Sequence, residues 1–147
     1  MPWIALTEAD ALTVVNAPTL AAARTKALKA GQADPLVDTI QQVVDLVRGS
    51  VGASGKFQLG AAGTLPAKLK APALDLLAVR LLNRLEIEPE KGKLLLYASA
   101  EATLKAVAAG TFDIEEPLVA SDEPTSAPTP RITKRTRTHR REDADGI

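Results

Sequence analysis

The sequence predicts an all-α fold: a small helical bundle of about four to five helices with a long Gly-rich loop and an extended C-terminal arm. Three observations carry this. Hydrophobic residues make up 46% of the 147, enough for a small core, and much of that share is alanine and leucine, which favour helices. Aromatic residues are only 3%, whereas strands draw on aromatic and β-branched side chains. Apolar residues also recur at helical spacing in the long segments of the chain. The length suggests one domain with appendages, a helical body over residues 1–117 and a linker with a basic arm over 118–147.

Thr7 opens the first helix. In "TEAD", Asp10 stands three residues after Thr7, a variant of the capping box that satisfies the free N–H groups of a first turn. Asn16, Ala17 and Pro18 keep this helix short. Trp3, Ile4 and Leu6 are expected to form a small apolar cover over its start. "TLAAARTKALKAG" reads as a second helix ending at Gly31, because glycine tolerates the left-handed conformation just past a helix end. Arg24, Lys26 and Lys29 give it a basic side.

"DPLVDTIQQVVDLVRG" is the clearest helix. Asp34 is a good cap and Pro35 suits the first helical position. Leu36, Ile40, Val43, Val44 and Val47 line one face, and Asp38, Gln41, Gln42, Asp45 and Arg48 fill the other. Residues 49–66 hold five glycines without a helical period and read as a loop, with Lys56, Phe57, Gln58 and Leu59 as a brief extended piece. A loop of this length inside a compact domain is uncommon and is often functional.

"APALDLLAVRLLNRLEI" is the fourth helix. Leu74, Leu77, Leu81 and Leu85 line one face and Leu76, Val79 and Leu82 widen it, so this helix should be central. The fifth begins near Pro89 and ends at Gly110. Tyr97, Ala100, Leu104 and Val107 form its stripe, and Ala98, Ala102 and Ala106 permit close contact with a neighbouring helix.

The chemistry a sequence can carry is narrow here. Cysteine is absent and the one histidine, His139, lies in the tail, so thiol chemistry and a histidine base in the body are excluded. "GKFQ" lacks the hydroxyl residue and the following helix of a phosphate-binding loop. No serine sits in a nucleophile-elbow pattern. Glu86, Glu88 and Glu90 alternate at a helix junction, a cluster of the kind that can bind a divalent cation, and the solvated-loop reading is preferred. The expectation is a protein with no catalytic residues, no metal site and no cofactor. No apolar run reaches the ~18 residues of a membrane span, and no signal peptide is visible.

Charge is balanced at a formal net value of zero, yet unevenly placed. Six cations fall within residues 131–141, after a stretch of Ser, Thr and Pro that reads as an extended linker. The body is nearly neutral, which argues against a dedicated DNA-binding domain.

In the order of these features the chain resembles the small helical head–tail connector proteins of tailed bacteriophages, of the Mu-like kind. "LTEAD" opens a short helix, and "LVDTIQQVVDLVRGSVGASGKFQLG" resembles the group's long helix running into an irregular loop. "LPAKLKAPALDLLAVRLLNRL" resembles its proline-marked central helix, and "YASAEATLKAVAAGTFDI" its last helix and glycine turn. The similarity spans about residues 4–114. An aromatic-rich segment after the long helix and an arginine–tyrosine pair in the central helix, present in many relatives, are missing here.

The resemblance implies a structural virion protein at the head–tail interface, made in the host cytoplasm. Copies would form a ring, usually twelvefold, between the capsid portal and the tail, extending the DNA channel and completing the head. Its partners would be the portal protein, copies of itself, and the next connector, stopper or tail protein, with possible non-specific contact to genomic DNA and none to membrane. On this reading Ile132, Lys134, Arg135, Arg137, Arg140 and Arg141 form an arm that docks on the portal or a neighbouring subunit. Lys56, Phe57, Gln58 and Leu59 face the channel or tail, and Arg24, Arg80 and Arg84 are candidate inter-subunit contacts. The alternative from another class is a small helical DNA-binding regulator with a basic tail, using Arg24, Lys26 and Lys29.

Overall fold

The computed structural model describes residues 2–27 and 34–117. They form five α-helices and one two-stranded antiparallel ribbon. In chain order these are β1 (Ile4–Ala5), α1 (Glu8–Ala11), α2 (Ala17–Ala27), α3 (Pro35–Ala53), β2 (Thr64–Leu65), a single 3₁₀ turn (Ala67–Leu69), α4 (Lys70–Arg84) and α5 (Lys91–Ala108). The fold is all-α, as the composition implies, and the arm residues 118–147 lie outside the described part.

α3, α4 and α5 pack on one another around a single core. α3 contributes Leu36, Val43, Val44, Val47 and Val51, and α5 contributes Ala100, Leu104 and Val107. α4 packs against both: Ala73, Leu76, Leu77, Ala78, Val79, Leu81 and Leu82 are all buried. Burial on so wide an arc marks the central helix, in agreement with its leucine content. The buried hydroxyl of Thr39 donates to the Pro35 carbonyl at 2.6 Å, so it adds no unsatisfied group to the core.

The helix starts follow their sequence signals. Thr7 and Asp10 make a complete capping box on α1, and the Asp34 carboxylate accepts from the Leu36 N–H ahead of Pro35. Three boundaries differ from expectation. α2 already begins at Ala17, with Pro18 in its first turn and the Asn16 side chain accepting from the Thr19 N–H. α3 continues through Gly49 and Gly52 to Ala53 rather than stopping at Gly49. Each glycine weakens a helix by about 1 kcal/mol, but Val47 and Val51 are fully buried on the core face and outweigh that. α4 ends at Arg84, short of Ile87.

α4 and α5 end in the same way. Glu86 N–H donates to Asn83 O and Ile87 N–H to Leu82 O; Gly110 N–H donates to Val107 O and Thr111 N–H to Ala106 O. Both are Schellman ends, which place one residue in the left-handed region. At α5 that residue is Gly110 (φ 70°); at α4 it is Glu86 (φ 59°). The second carries the Cβ penalty that the first avoids. Glu86→Gly is therefore expected to raise stability by about 0.5–1 kcal/mol, and Gly110→Ala to lower it by about 1 kcal/mol or more, in urea unfolding.

The ribbon was not foreseen. Ile4 pairs with Leu65 and Ala5 with Thr64, so the segment before α1 is stitched to the end of the Gly-rich loop. Trp3, Ile4 and Leu6 do cover apolar surface, but that surface belongs to the core beneath the loop as well as to α1.

Candidate interaction surface

The Gly-rich loop begins after α3, and Arg48 on the last turns of that helix holds it. The Arg48 guanidinium donates to Ala61 O and Thr64 O at 2.8 Å each and to Gly60 O at 3.1 Å. It also lies 5.6 Å from the centre of the Trp3 ring, within cation–π range. Gly60 packs flat on that ring: a Cβ there would stand 2.7 Å from two of its carbons. The other side of the node is the chain exit. Trp3 Nε1 donates to Glu115 O at 3.0 Å, and the Glu115 carboxylate accepts from the Lys68 N–H at 3.1 Å. One arginine and one tryptophan thus tie together the N-terminal strand, α3, the loop and the root of the arm. The sequence reading placed Arg48 on a polar face and missed this. The pairing of one early tryptophan with a distant arginine leaves no periodic trace.

The four loop residues singled out from sequence fall in different settings. Lys56 Nζ donates to Gly110 O at 2.7 Å, so its charge sits on the carbonyl end of α5, where cations are favoured. Phe57 is half-buried against the core. Gln58 and Leu59 are exposed, Leu59 at 48%. Lys56 and Gln58 share one hollow with Glu116 and Pro117, so the loop and the arm root emerge side by side.

The three candidate arginines of the body are also placed. Arg24 bridges α1 and the cap of α3, with Nη1 2.9 Å from Glu8 and Nη2 3.0 Å from Asp34. Arg84 pairs with Asp38 at 3.3 Å. Arg80 is half-buried near Tyr97, whose hydroxyl pKa is raised by burial and by Glu101, and lowered in part by Arg80. Arg24 and Arg84 are thus engaged within the chain. Lys26 Nζ donates to Leu85 O at 3.2 Å. Ile132, Lys134, Arg135, Arg137, Arg140 and Arg141 lie outside the described residues, as does Lys29.

The ion pairs around α1 have a consequence for pH. Arg24 holds the carboxyls of Glu8 and Asp34 below their ordinary values of 4.5 and 3.8. Lys70, 2.6 Å away, does the same for Asp10, helped by the Thr7 N–H. An acid with a depressed folded-state pKa stabilises above its ordinary pKa and loses that contribution as pH falls through the folded value. Asp75 has the opposite sign, since burial raises its pKa, but it is one group against three. The urea midpoint is expected to fall between pH 5 and pH 3, and Arg24→Gln should flatten that slope.

One feature of α5 was legible and overlooked. "KLLLY" puts three leucines in succession, and consecutive residues on a helix cannot all face one core. Leu94, Leu95 and Leu96 are 45%, 73% and 52% exposed. The small residues Ala98 and Ala102 are exposed as well, so the close helix contact expected of them is not made among the described residues.

Among the described residues no three of His, Cys, Asp or Glu come together as a metal site would require, and no helix is long and apolar enough to cross a membrane. Comparison with family models, with curated proteins and with solved structures finds no match.

Proposed function

We propose that this chain is a structural connector subunit, one copy of a ring between a capsid portal and a tail, with its C-terminal arm as the portal-binding element. The observation that supports this most directly is the convergence of the Gly-rich loop and the arm root. Lys56 and Gln58 line one hollow with Glu116 and Pro117, and Leu59 next along the loop is exposed. A subunit that joins two assemblies needs such outreaching segments anchored on a rigid base. Arg48, Trp3 and Lys56 supply the anchorage here.

The activity on this reading is assembly, not catalysis. The arm's cations would lie on an acidic portal surface, with Ile132 as an apolar anchor. Twelve or so copies of the body would line and extend the DNA channel, and the loop side would meet the next connector, stopper or tail protein. The DNA-binding regulator draws less support, since Arg24 and Lys26, two of its three candidate contacts, are bonded within the chain.

Electron microscopy of the purified chain mixed with its portal tests the proposal. A ring of this protein at the portal is the expected image. Replacing Lys134, Arg135 and Arg137 with glutamate should reduce portal binding more than tenfold without changing the melting temperature. Tight, sequence-selective DNA binding at moderate salt, with no portal association, would replace the connector reading with the regulator.

A further inference from the structure

An open hollow of about 160 Å³ lies where the turn after α1 meets α4 and α5. Val14, Asp75, Ala78, Lys93 and Leu96 line it. Its wall is apolar except for the Asp75 carboxylate and the ammonium of Lys93. Lys93 lines the hollow without pairing with Asp75, its ammonium instead 3.4 Å from the carbonyl of Val14, which lines the same hollow. Among the described residues no ion pair reaches Asp75. The half-buried carboxylate is thus left in an apolar setting without a partner, and burial pushes its pKa up, the sign of a charge that water solvates poorly. Leu96, itself 52% exposed, carries the apolar lining out to the surface of α5.

An occupant suited to this place has a long apolar stem, a cationic head and an adjoining apolar residue. Lysine and arginine bury their stems while presenting the charge at the tip. Residues 131–141 of this same chain offer six such side chains together with Ile132. The tether is long enough. The 13 residues between Pro117 and Arg131 span up to about 45 Å when extended, while a compact body of this size is roughly 35 Å across. A tethered segment meets its own body at an effective concentration in the millimolar range, well above that of a second molecule in dilute solution.

We infer that the Asp75 hollow is a receptor for the chain's own basic arm, holding one arm cation against Asp75 and Ile132 against Leu96 in the free chain. The arm is stored on the body and handed over when a more acidic partner competes for it. The docking concerns the isolated chain and stands apart from the connector reading; only the hand-over rests on that reading.

Since the chain has no cysteine, Thr136→Cys gives a single attachment point for a nitroxide label and leaves every arm cation in place. In the labelled ¹⁵N chain, the amides of Val14, Ala78 and Leu96 should broaden several-fold more than that of Gln58. Asp75→Asn should reduce the excess to less than half, Asp75→Glu should retain it, and raising salt to about 0.5 M should weaken it. A mixture of labelled ¹⁴N and unlabelled ¹⁵N chains should show none. Broadening that is equal at Gln58, that persists in Asp75→Asn, or that arises in the mixture would overturn the inference; the last outcome would make the occupant a second copy. The retained effect in Asp75→Glu separates loss of the charge at Asn from a failure to fold.

Discussion

Replacing Leu77 with alanine is expected to lower stability by about 3 kcal/mol and the melting midpoint by roughly 15 °C. Leu77 is fully buried in the middle of α4, and α4 is packed by both α3 and α5. Removing its branched end leaves a cavity that three helices cannot close at once, so the lost contacts add to the lost transfer free energy. Leu95→Ala supplies the contrast. Its side chain is 73% exposed, and its loss should cost less than about 0.5 kcal/mol. Urea unfolding of the two variants checks both numbers. Equal losses would mean that α5 buries a different face from the one described.

Arg48→Ala should have the second-largest effect, about 2–3 kcal/mol, and a different signature. Three loop carbonyls lose a charged donor, and Trp3 loses the cation over its ring. The loss falls on residues 58–64 first, because no helix supports them. Amide exchange in that segment should accelerate by tenfold or more, while the centre of α4 changes only as far as global stability does. Arg48→Lys should recover little, since an ammonium cannot span three carbonyls as a planar fork does. Uniform acceleration across all helices would show that Arg48 supports the bundle as a whole and not the loop.

How much could be read beforehand depended on periodicity. α3, α4 and α5 each bury a stripe several turns long, and that repetition is visible in one dimension. The capping box at Thr7, the Asp34–Pro35 start and the Gly110 end were legible because each uses a residue chosen for one backbone need. Glu86 was not, since it takes up a glycine's conformation without being glycine. Gly49 and Gly52 misled, because the packing of Val47 and Val51 outweighs a local preference. The two-residue strands were too short to have a period at all.

The surface was less legible than the core. Sequence offers Lys56, Arg24 and Arg84 as outward contacts, with a carboxylate partner as a further option for Arg84, and each has an acceptor elsewhere along the chain: Gly110 O, Glu8 with Asp34, and Asp38. Such pairings follow from the tertiary fold, which charge counting does not contain. The three leucines at 94–96 were the reverse case. Their exposure follows from helix geometry alone and required only that the run be placed on a wheel.

Trp3 is the only tryptophan of the chain, and its indole touches the loop, Arg48 and the carbonyl of Glu115. The molecule therefore carries its own optical gauge at the point where the arm leaves the body. Any pull transmitted along the chain to Glu115 changes the polarity around that one ring. Its emission colour and quenching would follow the hand-over of the arm in real time, with no dye attached.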